Sequence, residues 1–459
     1  NYSLLLCLKI LAGKIMVTRR QFNKGMVSTA LSGLAFNLQA DALFKQHIMP
    51  NVGPLVPDPS GILDLPAGFS YKVISKLGDS MIDGLKVPDR ADGMGCIALD
   101  SERVALIRNH ELQPKHKAAK DVEYTPEQIA KSYDLDADGS PVTGGTSTLI
   151  YNLKTQKTER QFMSLIGTIR NCSGGTTPWG SWLTCEESVD TPSKEISKDH
   201  GYVFEVPANA TGLVDPNPIK AMGRFNHEAA CVDPVSGFVY LTEDRNNSLF
   251  YRFIPKDKHS LHHGGQLQAL VIKGQPQFDT RNWSSNQMQK QVSYECEWIN
   301  LDNVESPLDD LRNRGYAKGA ALFARGEGIH FADKELYFCC TSGGAKKLGQ
   351  IMRYSVTTET PTISLFLESE HSATYNYGDN VCIAPNGHLV VCEDQYSDVV
   401  NNHLKGITTK GEAYDIAKIR WQTEPAGACF SPDGKTMFVN LYSPTTTLAI
   451  SGPWDTLDG

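Results

Sequence analysis

The stretch Gly237-Phe238-Val239-Tyr240-Leu241-Thr242-Glu243-Asp244 places a short strand-like segment between a turn glycine and two consecutive acids. The same arrangement recurs over residues 180–187 and 387–394, and each copy ends in paired carboxylates. Apolar segments of this length, bounded by turn residues, are typical of β-hairpins. Three further copies that lack the acid pair are predicted over residues 102–108, 334–340 and 434–440.

These six copies predict a repetitive all-β fold. Six units over about 390 residues would hold about 65 residues each, the size of a propeller blade with variable loops. Long helical periodicity is absent, which argues against an α/β-barrel. We therefore expect a six-bladed β-propeller with loop insertions, and a pair of β-sandwiches is the alternative. The predicted hairpins span residues 96–107, 171–187, 228–244, 327–341, 379–394 and 424–441.

The composition is that of a turn-rich globular β protein with an acidic balance. The chain has 459 residues, of which 39 are Gly and 24 are Pro, and its formal net charge is −8. A nucleic-acid backbone requires a basic face, so this charge argues against nucleic acid as a partner. Part of the negative charge lies at the ends of predicted strands, which favours bound cations.

The N-terminal region resembles an export signal. Residues 18–24 contain an Arg pair in the pattern of a twin-arginine signal, an apolar stretch follows over 25–38, and 40–42 supply small residues for cleavage. The sequence thus predicts export by the twin-arginine translocase to the periplasm or the exterior, without stable membrane insertion. The expected organisation is a non-native upstream segment (1–15), a signal peptide (16–42) and a single propeller domain (43–459).

Ten of the 11 cysteines follow the predicted signal. Four of them, Cys96, Cys231, Cys382 and Cys429, are expected at one repeat position, a few residues before a turn. Buried strand thiols that act as small hydrophobes account for most of the set. One or two disulfides are the alternative.

A hairpin returns its second strand beside its first, so the residues that enter and leave it lie at one end. This geometry pairs Glu228 with Glu243 and Asp244 in the third hairpin. In the fifth hairpin it pairs Asp379 with residues 393 and 394, and around a propeller axis these ends would converge. Carboxylates forced together raise one another's pKa and call for cations, and Ca²⁺ accepts six to eight oxygen ligands. Solvated surface acids are the alternative.

Two other residues stand out near these acids. Cys172 lies in a polar, Gly-rich segment rather than in a strand interior, and a thiolate among carboxylates recruits a transition metal. Arg325 precedes Glu327 by two residues, so both side chains can point the same way, and its guanidinium can grip a phosphate through two parallel hydrogen bonds. An inert buried thiol and a surface ion pair are the respective alternatives.

Several of these segments resemble the PhoX-type alkaline phosphatase family, which is exported by the twin-arginine route. The resemblance rests on residues 53–71, 109–111, 171–187, 424–434 and 452–454. It implies a six-bladed propeller that hydrolyses small phosphate esters at a mixed cluster of Fe³⁺ and Ca²⁺. One departure is that Gly326 and Gly328 stand where proven phosphatases of the family carry Pro and Trp.

The resemblance also implies roles for individual residues. Cys172, Glu228 and Glu327 would be iron ligands that act in catalysis, and Arg325 would hold the phosphate. The calcium ligands would be Glu111, Glu187, Glu243, Asp244, Glu393 and Asp394. Two other functional classes stay open at this point: a calcium-braced propeller that binds a partner without catalysis, and a calcium-dependent hydrolase similar to a lactonase.

Overall fold

The computed structural model describes residues 52–116, 122–356, 360–395 and 402–456. The predicted upstream segment and signal peptide therefore lie outside the described residues. Residues 49–459 form one unit by their backbone contacts. Within the described part of that unit, no helix has the length and apolarity that a membrane span requires.

Strands are the main regular structure of the described residues, as predicted. The strands are β1 (Leu55–Val56), β2 (Leu63–Pro66), β3 (Ser70–Lys76), β4 (Ala91–Ala98), β5 (Arg103–His110), β6 (Gly144–Asn152), β7 (Lys157–Thr168), β8 (Asn171–Thr176), β9 (Ser181–Glu186), β10 (Val203–Pro207), β11 (His227–Val232), β12 (Val239–Glu243), β13 (Tyr251–Pro255), β14 (Gly265–Ile272), β15 (Ser293–Asn300), β16 (Gly326–Ala332), β17 (Glu335–Cys340), β18 (Gln350–Ser355), β19 (Thr362–Glu368), β20 (Gly378–Ile383), β21 (Leu389–Glu393), β22 (His403–Ile407), β23 (Ala413–Ile419), β24 (Pro425–Phe430), β25 (Thr436–Leu441) and β26 (Thr446–Ser451).

Helical structure is confined to short segments between strands. The α-helix α1 (Pro126–Ala130) begins at Thr125, whose hydroxyl accepts a hydrogen bond from the Gln128 amide, while the Gln128 side chain accepts one from the Thr125 amide. This reciprocal pair is a capping box. The remaining helical segments are α2 (Leu311–Ala317) and the 3₁₀ turns Lys220–Met222, Leu261–His263 and Trp454–Thr456.

The six predicted hairpins are present and confirm the repeat. They are β4–β5, β8–β9, β11–β12, β16–β17, β20–β21 and β24–β25, all antiparallel. The first strand of each hairpin, here called the inner strand, packs against the inner strands of the two neighbouring hairpins. The contacts follow the order β4, β8, β11, β16, β20, β24 and return to β4, which closes a ring. This arrangement is propeller-like.

The prediction of six separate blades is wrong in its count. Hydrogen bonding joins the strands into five sheets. Four are blade-like, whereas the fifth has nine strands and curls until its two end strands, β11 and β16, come into contact. The cause is β15, which follows β14 in the chain and pairs with both β14 and β19. No signal in the sequence marked this bridging strand.

Strands distant in sequence complete two of the sheets. β3 pairs along β26, so the beginning of the domain supplies the outer strand of the sheet that contains its end. β2 likewise pairs with β23. Alternate apolar residues of the strands form cores between neighbouring sheets, and buried Leu441, Val439 and Trp454 belong to the core beside β2 and β23. These closures hold the ring of inner strands in place.

Candidate metal centre

Each inner strand carries one β-bulge at the same place, near its beginning. In β11, His227 pairs with Glu243 and Ala230 pairs with Leu241, so the inner strand holds one extra residue. A bulge re-aims a side chain and often occurs beside a functional site. The same shift occurs in the other five inner strands. The first residues of the bulges, here called the bulge residues, are Asp92, Cys172, Glu228, Glu327, Asp379 and Gly427.

A second set of side chains comes from the outgoing strands. In the third hairpin, Glu243 pairs with His227, and Asp244 is the next residue. The residues at the position of Asp244, here called the exit residues, lie at the same end of each hairpin as the bulge residues. They are Glu111, Glu187, Asp244, Thr341, Asp394 and Leu441.

Two groups of these side chains have the geometry of a metal site. Cys172, Glu187 and Glu228 present ligand atoms that all lie within 4.8 Å of one another. Glu228, Glu327 and Asp379 form a second such group, so Glu228 belongs to both. A set that includes a thiol suits a transition metal, whereas a set of carboxylates alone suits a hard cation such as Ca²⁺. The two groups thus contain four of the predicted ligands, Cys172, Glu187, Glu228 and Glu327, which come from three different hairpins.

The electrostatics of the centre call for positive charge. Burial, together with the charges of Asp379 and Glu187, raises the pKa of Glu228 well above its ordinary value. Burial and the charge of Asp394 raise the pKa of Asp379 to about 7. Bound cations would offset this repulsion. Burial and neighbouring carboxylates raise the pKa of five further acids, Asp92, Glu187, Glu327, Asp394 and Glu424.

Unpartnered oxygens point to the same conclusion. Asp92 Oδ1, Asp394 Oδ1 and Glu424 Oε2 are buried, and none has a hydrogen-bond partner among the described residues. A buried polar atom without a partner costs about 1–3 kcal/mol. The donor set and these free oxygens fit bound metal ions. The thiol of Cys172 is also buried, and burial together with Glu228 raises its pKa, so metal binding would have to displace its proton.

Three arginines precede bulge residues by two positions and surround the centre. Arg90, Arg170 and Arg325 all have left-handed backbone, with φ of 56°, 44° and 54°. Left-handed backbone at residues other than Gly clusters at functional sites. The side chain of Arg325 donates from Nε and Nη2 to Asp244 at 2.7 and 2.9 Å, and from Nη2 to Glu327 at 2.9 Å.

Arg170 likewise contacts two acids. Its Nε donates to Glu111 Oε1 at 2.9 Å, and its Nη2 donates to Glu187. The hydroxyl of Tyr442 also donates to Glu111. The predicted ligands Glu111, Glu187 and Asp244 therefore all lie at the centre, each held by an arginine.

Glu243 and Glu393 were predicted as metal ligands, but neither belongs to the two groups of ligand atoms, and both accept hydrogen bonds within their sheets. Glu243 accepts hydrogen bonds from the Tyr251 hydroxyl at 2.8 Å and the Leu249 amide at 3.4 Å, away from the ring. Glu393 accepts from the His403 amide at 3.1 Å. Successive side chains of a strand point to opposite faces, so only the second acid of each pair can face the centre.

Three acids of the centre were not predicted as ligands from the sequence. Asp92 and Glu424 were not proposed as ligands, and Asp379 was placed at this end of its hairpin but left out of the ligand set. Asp92 was not predicted because the repeats were aligned on their cysteines, and the four cysteines do not share one repeat position. Cys231 and Cys382 are equivalent, whereas Cys96 lies one residue later and Cys429 one residue earlier. An alignment of the repeats on their bulges rather than on their cysteines places Asp92 at the same position as Glu228 and Asp379.

The sixth inner strand breaks the pattern for a steric reason. Gly427 occupies the bulge position with φ of 59°, and a Cβ there would lie 2.4 Å from the carbonyl oxygen of Asp92. Glu424, three residues earlier, supplies the carboxylate of this repeat and interacts with Asp394. Gly328 is similarly confined, because its Cβ would lie 2.7 Å from the Asn380 Cα. A tryptophan at position 328 would therefore require β20 to move.

All ten cysteines of the described residues are free thiols, so the disulfide alternative is not met there. Cys96, Cys231, Cys382 and Cys429 line a cavity of about 430 Å³ between the inner strands. Its walls are formed by the positions that follow the bulges. The centre therefore lies at one end of the inner strands and a less polar channel follows it.

Comparison with known proteins places this geometry in a family. The chain matches the family model described as alkaline phosphatase PhoX over residues 50–445. No curated protein sequence matches it.

Among solved structures, the chain is similar to Pseudomonas fluorescens PhoX in complex with vanadate, a transition state analogue. The TM-score is 0.65 at 18% identity, and the alignment covers 88% of this chain and 97% of that chain. A gluconolactonase, XC5397 from Xanthomonas campestris, aligns with a TM-score of 0.41 at 11% identity over 89% of this chain and 99% of that chain. The first similarity shows a shared fold, and the second is too distant to carry an argument.

Proposed function

The chain belongs to the alkaline phosphatase PhoX family, and on that premise we propose that it is a metal-dependent phosphoesterase that hydrolyses small phosphate esters at an iron–calcium cluster. The observation that carries the proposal is the convergence of Cys172 with buried carboxylates from different hairpins around Glu228. A mixed thiol and carboxylate set of this kind has no evident structural purpose without cations.

Neither group of ligand atoms contains all three iron ligands that the family resemblance implies, but the two groups share Glu228, with Cys172 in one and Glu327 in the other. Cys172, Glu228 and Glu327 would hold iron, since the set combines a soft thiolate with carboxylates. Calcium would be held by all-oxygen sets drawn from Asp92, Glu111, Glu187, Asp244, Asp379, Asp394 and Glu424. When bound, such ions act as Lewis acids that polarise a phosphoryl group and stabilise the charge of its transition state.

The residues of the chain would bind and orient the ester. Arg325 uses Nε and Nη2 for carboxylates and has no partner at Nη1 among the described residues. Its guanidinium would donate to a free phosphoryl oxygen, and the left-handed backbone at this residue fixes its direction. The carboxylates of Asp244 and Glu327 would keep it in place.

No serine or threonine hydroxyl among the bulge and exit residues is available as a nucleophile. Thr341 is the single hydroxyl residue in these two sets, and its Oγ1 donates to the Gly378 carbonyl oxygen at 2.7 Å. The thiol of Cys172 is assigned to metal. Direct attack by water on the phosphorus atom, with a carboxylate accepting the proton, is therefore the proposed reaction. The P–O bond to the alcohol breaks, and the leaving alkoxide takes up a proton to yield the free alcohol and orthophosphate.

Metal analysis and activity together test the proposal. We expect iron and calcium in the purified protein and hydrolysis of an aryl phosphate. The Cys172→Ala and Glu327→Ala variants should each lose iron and turnover while keeping a cooperative unfolding transition. Cys296→Ala, which removes a buried thiol from β15 far along the sheet from the centre, is the matched control and should retain both. Full activity in both centre variants would refute these roles.

The same experiment separates the rival functions. Calcium without iron, and no turnover of any ester, would favour a propeller that binds a partner. Turnover of a lactone but not of an aryl phosphate would favour the lactonase-like hydrolase. Export by the twin-arginine translocase is a further proposal that rests on residues 18–24, outside the described residues, and replacement of both Arg19 and Arg20 by Lys should retain the protein in the cytoplasm.

A further inference from the structure

A pocket of about 300 Å³ adjoins the metal centre on the side of Glu187. Glu187 and Arg170 line both the pocket and the centre, so the two share a wall. The other side chains that matter here are Lys115, Asn226 and Arg245. The pocket therefore offers room for a part of a substrate that extends beyond the reacting phosphoryl group.

Three cationic side chains line this pocket. Arg170 and Arg245 are half-buried and Lys115 is exposed. Three acids also line it. Glu187 is buried and paired with Arg170, whereas Asp190 and Glu195 are solvent exposed and therefore screened by water. Because Arg170 is already paired with Glu111 and Glu187, the guanidinium of Arg245 is the cationic group that matters most at this pocket.

Arg245 differs from Arg170 and Arg325 in how it is paired. Each of those two arginines holds two carboxylates of the centre. Arg245 donates from Nη2 to Asn226 Oδ1 at 2.9 Å and reaches Asp309 at 3.5 Å, which is the limit of a hydrogen bond. Its Nε is buried and has no partner among the described residues. The fold holds this guanidinium beside the centre with donor capacity unused.

Asn226 explains why the guanidinium of Arg245 is not paired with a carboxylate of the centre. It stands two residues before Glu228, the place that Arg170 and Arg325 take in their own repeats. A neutral amide there cannot neutralise a carboxylate, and instead its Oδ1 orients Arg245 toward the pocket wall. Asp244, the residue before Arg245, remains bound to Arg325.

We propose that this pocket binds a second phosphoryl group, so that the substrate is a bisphosphate or a pyrophosphate ester with one phosphoryl group at the metal centre and the other at Arg245. The inference rests on the proposed function for the reaction itself. The guanidinium of Arg245 lines the pocket, and its nearest hydrogen-bond partner is a neutral amide, so its positive charge is available to a phosphoryl oxygen. Lys115 adds a mobile charge at the solvent side.

The test compares substrates with one and two phosphoryl groups in the metal-loaded protein. We expect kcat/KM for fructose 1,6-bisphosphate or ADP to exceed that for 4-nitrophenyl phosphate. In Arg245→Met this preference should fall roughly tenfold, mainly through KM, as expected for the loss of one or two charge-assisted hydrogen bonds. Arg245→Lys should recover part of it. Arg353→Met, which removes an exposed arginine paired with Glu335, should leave the preference unchanged.

Calorimetry with inorganic pyrophosphate and orthophosphate, in excess calcium, keeps this inference separate from the reaction. Tighter binding of pyrophosphate that is lost in Arg245→Met but not in Arg353→Met supports the pocket even if no ester is hydrolysed, in which case the proposed function alone fails. Hydrolysis without any preference for two phosphoryl groups overturns the pocket and leaves the proposed function intact. Equal affinity for the two anions overturns the pocket as well.

Discussion

Consecutive acids in the same repeat do opposite things in this protein. Glu187, Asp244 and Asp394 face the centre, where they repel one another and call for cations. Their predecessors Glu186, Glu243 and Glu393 face into the sheets, where each accepts hydrogen bonds from the chain that follows. The difference is one step along a strand, which reverses the side-chain direction. Whether an acid of a pair faces the centre or the sheet thus depends on its position in the alternation of side chains along the strand.

The centre-facing set should dominate activity. Glu228→Gln removes the one carboxylate common to both ligand groups while keeping the size of the side chain. We expect a loss of about a thousandfold in kcat/KM for an aryl phosphate, corresponding to several kcal/mol of lost Lewis-acid stabilisation. Iron content should fall in parallel, and the thermal midpoint without metal should not decrease. Retained metal with retained turnover would show that Glu228 is not a ligand.

The sheet-facing set should instead control stability through pH. His200 lies buried between Glu186, at 2.6 Å from Nδ1, and Asp134, at 3.2 Å from Nε2. Burial alone would lower the pKa of His200, but the two carboxylates raise it to about 9. Because the folded-state pKa exceeds the unfolded value of about 6.5, this stabilisation is complete below pH 6.5 and is lost as the pH rises through 9.

We therefore expect the free energy of unfolding of the metal-loaded protein to fall by about 3 kcal/mol between pH 6.5 and 9 because of His200. Denaturant unfolding at several pH values measures this change. The His200→Gln variant cannot gain this charge, so its profile should be flatter by that amount over the same window. Parallel profiles for the two proteins would exclude the buried ion pair.

Removal of metal should affect the centre and spare the sheets. Chelation of all ions should lower the free energy of unfolding by about 3 kcal/mol if the ions were present at a hundredfold above their Kd. Calcium added back should restore the thermal midpoint. A variant with Asp92 and Asp394 both replaced by Asn has fewer repelling charges. Chelation should therefore lower its free energy of unfolding by less than it does in the unmodified protein. An unchanged midpoint after complete chelation would show that no ion braces the ring.

The smallest effects should come from exchanging neighbours in one acid pair. Glu393→Gln replaces one of the two carboxylate oxygens by NH2, so either the backbone N–H of Asn376 or that of His403 loses its acceptor, which should cost about 2 kcal/mol with metal content unchanged. Asp394→Asn removes a buried, repelled carboxylate and should weaken metal binding without that loss of stability. Denaturant unfolding and elemental analysis of both variants test this difference. Equal changes in stability and in metal content in the two variants would contradict it.

The hairpins and the acidic exit residues could be predicted because they depend on patterns between residues that are close in the chain. Turn residues, strand length and the end of a strand are local properties, and they placed Glu187, Asp244 and Asp394 at one end of their hairpins. The bulges could not be predicted in this way. One extra residue shifts the register, so Asp92 was hidden behind a misaligned cysteine, and Glu243 and Glu393 were predicted as ligands although alternation turns them away.

What the sequence determined by itself is therefore the repeat: six short hairpins with acids, a thiol and arginines at their ends, since strand pattern and turn chemistry act between neighbours. Only the tertiary structure decided which of these side chains meet. It joined two repeats into one sheet through β15, selected one acid of each pair, and brought Cys172, Glu228 and Glu327 together. Such choices depend on strand pairing between residues far apart in the chain, and no local pattern records that register.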